Sequence, residues 1–176
     1  MKLHLGCGTK YIPGYDHIDV LDLPHIQIRH SIDSLPMIQD ESVEVIYACH
    51  VLEHFLRQEV PRVLQEWHRI LRTGGILRLA VPDFAAICRW YVQGGSLKDV
   101  MGLLFGGQTY LYNFHHIVFD HVSLQELLLQ AGFSRVHGYD WRTTEHADLD
   151  DYSQAYLPYM DKEHGLLMSL NVEAVK

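Results

Sequence analysis

The segment KLHLGCGTKYIPGYDHIDV, residues 2–20, carries the strongest signal for fold class. KLHL (2–5) reads as a short strand, the chain turns through Gly6, Cys7 and Gly8, and DHIDV (16–20) reads as a second strand ending near Asp19. Glycines after a strand permit a tight turn and let a ligand approach the backbone closely. Ligands of open α/β sheets bind outside the carboxyl ends of the strands. Asp19 therefore stands where a carboxylate can accept hydrogen bonds from ribose hydroxyls. A dinucleotide fingerprint, G-x-G-x-x-G, needs a third glycine at position 11, which is Tyr11 here. Pro13-Gly14 makes a full helix before the second strand a poor fit, so a pyrophosphate on a helix N-terminus is weakly supported. G-x-G alone also occurs at plain strand-to-turn junctions.

The same rhythm continues through the chain. HIQIR (25–29) is a weaker third strand, and SVEVIYAC (42–49) and GILRLAVP (75–82) are β-rich runs of the kind buried on both faces of a sheet. Between them, Val60, Val63, Leu64, Trp67, Ile70 and Leu71 recur on one helical face. Pro61 falls in the first turn and Gly74 suits the C-terminal cap. SLQELLLQAGF opens with a capping box, Ser123 with Glu126, and stops at Gly132. SRVHGYDW (134–141) and LLMSLNVEAV (166–175) read as closing strands. Strand, helix, strand in this order implies parallel pairing with right-handed crossovers, hence an α/β sheet in one domain spanning 1–176.

Two segments interrupt the alternation. Residues 84–122 hold eight of the 19 aromatic residues and two Gly-Gly pairs, and read as a lid-like insertion. Residues 142–165 are polar and acidic. Glu145, Asp148, Asp150 and Asp151 within them read as a solvated loop rather than as a divalent-ion site.

Composition narrows the function classes. The chain has 176 residues, 14 Lys and Arg against 22 Asp and Glu, and net charge −8. Phosphate neutralisation supplies much of nucleic-acid affinity, so no nucleic-acid partner is expected. No apolar run reaches the roughly 18 residues that span a membrane. Cys7, Cys49 and Cys88 are odd in number and widely spaced, which suits free thiols in a cytoplasmic protein. The expected partner is a small-molecule acceptor, and the chain is expected as a monomer or homodimer.

Four stretches together, LHLGCGTKYIPGYDHIDV, SLPMIQDESVEVIYACHVLEHF, EWHRILRTGGILRLAVPDF and SLQELLLQAGFSRV, resemble the class I S-adenosylmethionine-dependent methyltransferases. The resemblance is to a small, type 11-like subgroup often found beside polysaccharide genes, and it runs over nearly the whole chain in the family's order. It implies a Rossmann-like, mostly parallel seven-stranded sheet with helices on both faces and an antiparallel last strand between the fifth and sixth. It implies S-adenosylmethionine as cofactor, S-adenosylhomocysteine as product, and a sugar-linked, cell-envelope or secondary-metabolite acceptor. Gly6, Cys7 and Gly8 would then pack on the methionine part, Asp19 would hold the ribose, and Ser31, Ile32 and Asp33 would meet the adenine. Cys49 and His50 would close over the methionine end. Many relatives carry Asp at the position of Ser31, so Asp33 or the Ser31 hydroxyl must serve instead. The N-terminal helix that often covers the cofactor is missing from this sequence, and 84–122 is the candidate cover. A catalytically idle cofactor-binding protein is the alternative.

Methyl transfer is an in-line displacement that needs alignment and, for an O or N acceptor, a group to take a proton. Candidates are His50 directly after the fourth strand, Asp83 after the fifth, and His115 and His116 in the lid. Asp83 could equally cap the following helix. His50, Glu53 and His54 also spell H-x-x-E-H, a zinc-protease pattern. That pattern requires two histidines on one helical face, whereas His50 is placed in the turn after a buried strand. No metal is therefore expected, and Glu53 reads as an acidic residue of a first helical turn.

Overall fold

The computed structural model describes residues 1–176. Seven strands form the main sheet: β1 Lys2–Leu5, β2 Asp16–Asp19, β3 Ile28–Arg29, β4 Val43–Cys49, β5 Leu71–Pro82, β6 Arg135–Gly138 and β7 Ser169–Val175. Their order is β3-β2-β1-β4-β5-β7-β6. The first five run parallel, and β7 is antiparallel to both β5 and β6. Strand order reverses at β1 and β4, so the loops after these two strands border the crevice where such sheets take ligands.

Helix α1 (Val60–Ile70) forms as its periodicity predicts: Val60, Val63, Leu64, Trp67 and Ile70 are all fully buried. The Trp67 indole N–H donates to the Ile32 carbonyl at 2.8 Å, tying the helix to the loop after β3. Gly74 is not its cap. The helix ends at Ile70, Leu71 takes an extended conformation, and β5 starts at once. Gly74 instead turns the strand, with φ +73° and its N–H on the Lys176 carbonyl, where β4 and β5 lose register between Val43 and Val45.

Helix α4 (His121–Gln130) starts three residues earlier than its Ser123 capping signal suggests. Asp120 is the N-cap, and Asp120 with Ser123 forms the reciprocal capping box. A carboxylate at that position accepts the Ser123 N–H and competes successfully with a box built on Glu126. The main core joins α1, α4 and one face of the central strands, including Leu3, Leu5, Ile46, Ala48, Leu77 and Leu79.

Residues 84–122 contribute two helices, α2 (Phe84–Val92) and α3 (Leu97–Phe105), before an irregular stretch that leads into α4. Ala86, Ile87 and Val100 pack with Met168 in a separate small core. The acidic connection also departs from expectation. Glu145 accepts from the Tyr15 hydroxyl at 2.6 Å and from Arg78 at 2.7 Å, and Asp151 accepts from the Tyr47 hydroxyl at 2.6 Å. Tyr15, Val45 and Tyr47 form a cluster with Leu149 against it. Strand alternation explains this: Ile46 and Ala48 point to the helices, so Val45 and Tyr47 need cover on the other face. The segment 142–165 supplies that cover, and a short hairpin pairs Tyr156–Leu157 with Leu166–Leu167. No helix of the structure is long and apolar enough to cross a membrane.

Candidate functional site

The loop after β1 is held open by two glycines for different reasons. Gly6 has φ +62°, and a Cβ there would lie 2.6 Å from Val51 Cγ2, so a side chain is excluded by packing as well as by backbone conformation. Gly8 has φ +53°, and a Cβ there would meet nothing within 4 Å. Its bare face looks into a cavity lined by Gly6, Gly8, Asp19, Ser31, Ile32 and His50, together with Val20, Leu21, Val51, His54, Phe55, Tyr110 and Tyr112. Asp19 is buried at the end of β2. Its Oδ2 accepts the Gly8 N–H at 2.8 Å and its Oδ1 the Leu21 N–H at 2.9 Å. A carboxylate has about four acceptor positions, so lone pairs remain for two ligand hydroxyls.

The other residues expected around a nucleoside divide into two groups. Ser31 and Ile32 line the cavity, whereas Asp33 does not. Asp33 accepts from the Ser31 hydroxyl and pairs with Arg62 at 2.8 Å, and these two partners hold its carboxyl below the usual range. Cys7 is buried behind the loop, its thiol 3.9 Å from His25 Nε2, and burial with the neighbouring Asp19 pushes its pKa up to about 12. Cys49 lies off the cavity beside Tyr47, and burial raises its pKa well above the ordinary thiol value. Both are therefore neutral thiols at physiological pH.

His50 directly follows β4 in a left-handed conformation, φ +52°, uncommon for a non-glycine residue and found where surrounding structure over-determines it. Its N–H donates to the Ala80 carbonyl at 2.8 Å, and Nε2 lies 3.2 Å from Ser169 Oγ. Burial, then the neighbouring His115 and His54, lower its pKa to about 3, so the imidazole is neutral. Asp83 caps α2, accepting the Ala85 N–H at 2.9 Å, and lines neither large cavity. His116 is exposed and meets Glu53 only through its backbone N–H. His115 is half-buried, with Nε2 3.9 Å from Glu53 Oε1.

His50 and His54 also line a second cavity of about 610 Å³, which His115 joins. Its other walls come from α3 and the stretch after it (Asp99, Leu103, Asn113) and from the acidic connection (Asp150, Asp151, Tyr152, Tyr156). The aromatic segment thus reaches both spaces, through Tyr110 and Tyr112 on one side and His115 on the other. Sequence reading missed Tyr152 and Tyr156, because residues 150–156 carry no motif and acquire a role only by folding back on the sheet.

The strand order, the reversed last strand and a glycine-and-aspartate cavity at the switch point define a class I methyltransferase fold. The comparisons with known proteins agree. Residues 16–79 match the family model described as methyltransferase domain. Over 99% of the chain, the structure superposes on Burkholderia thailandensis 1,6-didemethyltoxoflavin-N1-methyltransferase, solved with 1,6-didemethyltoxoflavin and S-adenosylhomocysteine bound (TM-score 0.62, 15% identity, 70% of that chain). S-adenosylmethionine-dependent methyltransferases from Thermotoga maritima (0.61, 16%, 99% of this chain and 81% of that one) and Mesorhizobium loti (0.58, 16%, 99% and 90%) superpose similarly. No curated protein matches the chain by sequence. The chain therefore has the class I methyltransferase fold, with the methyltransferase-domain match confined to residues 16–79. The cavity has features that would suit S-adenosylmethionine: an open backbone face at Gly8, a buried carboxylate with spare acceptor positions, and Ile32 and Phe55 as apolar walls.

Proposed function

We propose that the protein is an S-adenosylmethionine-dependent methyltransferase acting on a small oxygen-bearing acceptor held in the second cavity, a sugar-linked or comparable envelope or secondary metabolite. The observation carrying this reading is that His50 and His54 belong to the walls of both cavities, so a molecule in one adjoins a molecule in the other. The second cavity's tyrosines and aspartates suit a hydroxyl-rich ligand, with rings to stack on and acceptors to receive its hydroxyls.

In this reading Asp19 holds the ribose hydroxyls and Gly8 presents backbone to the methionine part. Ser31 and Ile32 meet the adenine, with Asp33 kept from it by Arg62. S-adenosylmethionine supplies a methyl group already activated by a sulfonium. The protein's work is then to align the acceptor and exclude water. Tyr110 and Tyr112 close the cofactor side. His50, neutral and held by Ser169, helps to orient the acceptor. We place the protein in the cytoplasm as a monomer or homodimer, with no nucleic-acid partner.

Transfer of tritiated methyl from the labelled cofactor into a metabolite extract, with mass spectrometry of the labelled product, tests the reading. A labelled small polar metabolite supports it. Cofactor binding with no transfer to any extract fraction would favour an idle binding protein, and label confined to protein or nucleic acid would exclude a small acceptor.

A further inference from the structure

Beside the two histidines shared by the cavities lies a buried carboxylate that the methyl-transfer reading leaves unused. Glu53 is fully buried in the short 3₁₀ turn Leu52–His54, and neither carboxylate oxygen has a hydrogen-bond partner. Leaving a buried carboxylate unpaired is costly, so such a group is paired, protonated or bound to a cation. Three imidazoles face it. One ligand atom from each of Glu53, His54 and His115 lies within 4.8 Å of the others, and His50 Nδ1 is 3.5 Å from Glu53 Oε1.

The second nitrogen of each ring fixes what the first can do. His54 Nδ1 lies 3.0 Å from the Phe114 carbonyl and His115 Nδ1 lies 2.9 Å from the Leu103 carbonyl. A carbonyl only accepts, so both Nδ1 atoms carry the proton and both Nε2 atoms keep a lone pair. Ser169 directs its hydroxyl proton to Asn171 Oδ1 at 2.9 Å, and Asn171 donates its amide to the Ser153 carbonyl at 2.8 Å. His50 Nε2 must then be the donor to Ser169, which leaves Nδ1 as a lone pair toward Glu53. The outer contacts prepare three imidazoles as ligands and turn them to one carboxylate, an arrangement common around bound metal ions.

We propose that Glu53, His54 and His115, supported by His50, bind one divalent transition-metal ion of the zinc type at the wall between the two cavities. Imidazole nitrogens with one carboxylate select such ions over magnesium or calcium, which prefer oxygen. Ligands of a tetrahedral zinc site lie about 3.3 Å apart, so the side chains close inward on binding. His115 can follow, since it sits in the irregular stretch between α3 and α4. Three protein ligands leave a coordination position for an oxygen of the acceptor on the side of the second cavity, which His50, His54 and His115 all line. That last step rests on the proposed acceptor cavity; the ion site itself does not. The H-x-x-E-H pattern thus regains a metal reading without helical i, i+4 geometry, the third protein ligand coming from His115, 61 residues after His54.

The untagged protein, stripped with a chelator, is titrated with cobalt(II) and followed by visible absorption, and S-adenosylhomocysteine binding is measured on the same samples. The expected result is one cobalt per chain with ligand-field bands, displaced by one equivalent of zinc. His115→Ala and Glu53→Gln each weaken cobalt binding at least 100-fold, and His115→Ala keeps its S-adenosylhomocysteine affinity. Absence of stoichiometric cobalt binding in a wild-type protein that binds S-adenosylhomocysteine overturns the proposal. So does a His115→Ala protein that binds cobalt as tightly as wild type, because the other ten of the 13 histidines outside 50, 54 and 115 would then account for it. Cobalt binding without S-adenosylhomocysteine binding leaves the ion site standing and removes the cofactor cavity instead.

Discussion

Gly6 and Gly8 occupy neighbouring positions of one loop yet answer to different constraints. Gly6→Ala forces a Cβ to within 2.6 Å of Val51 in a left-handed conformation, so both overpacking and backbone strain apply. A loss of about 2–4 kcal/mol in urea unfolding is expected. Gly8→Ala meets only the backbone term, about 1 kcal/mol, and its main effect is on cofactor affinity, because the new methyl enters the cavity. Equal destabilisation by the two substitutions, with S-adenosylhomocysteine affinity retained in both, would show that the loop's shape is not set in this way. The motif G-x-G was legible in sequence. The division of labour was not, since it depends on Val51, a residue 45 positions away that only folding brings to Gly6.

Elements were legible where packing needs a single apolar face. Helix α1 follows from its spacing, and Trp67 combines complete burial with an indole hydrogen bond to the Ile32 carbonyl. Trp67→Ala should cost about 3–5 kcal/mol in chemical denaturation and loosen the adenine side of the cavity, weakening S-adenosylhomocysteine binding. Trp67→Phe should recover most of the stability but not the bond to Ile32. An alanine variant within 1 kcal/mol of wild type contradicts this role. Element ends were less legible. Gly74 reads locally as a helix cap, but the demand of β5 for a partner in β4 and β7 turns the chain into strand at Leu71. The acidic connection was least legible, because its hydrogen bonds are to Tyr15, Tyr47 and Arg78 on the sheet. Charge alone suggested a solvated loop, and the uncovered face of β4 made it a structural layer.

At the scale of the whole molecule, that second face carries a pH dependence. His4 in β1 is buried with no partner on Nδ1, and burial, then His17, His146 and His25, lower its pKa to about 3. The unfolded chain binds this proton near pH 6.5 and the folded chain does not, so stability is present in full above that value and lost as pH falls from 6.5 toward 3. His4 alone should remove about 2 kcal/mol between pH 7 and 5. Urea unfolding of His4→Phe at the two pH values should show a smaller loss than wild type by about that amount, and an unchanged slope refutes the assignment. The paired cavities are the other property of the whole molecule, since β1, β2, β4, the aromatic stretch and the acidic connection each supply part of them. Calorimetric titration of wild type and Asp19→Ala with S-adenosylhomocysteine tests this arrangement most directly. One site per chain in the wild type, with affinity at least 30-fold weaker in a folded Asp19→Ala protein, is the expected result. No binding by the wild type, or equal affinity in the two, would contradict the assignment of the Gly8–Asp19 cavity to the cofactor.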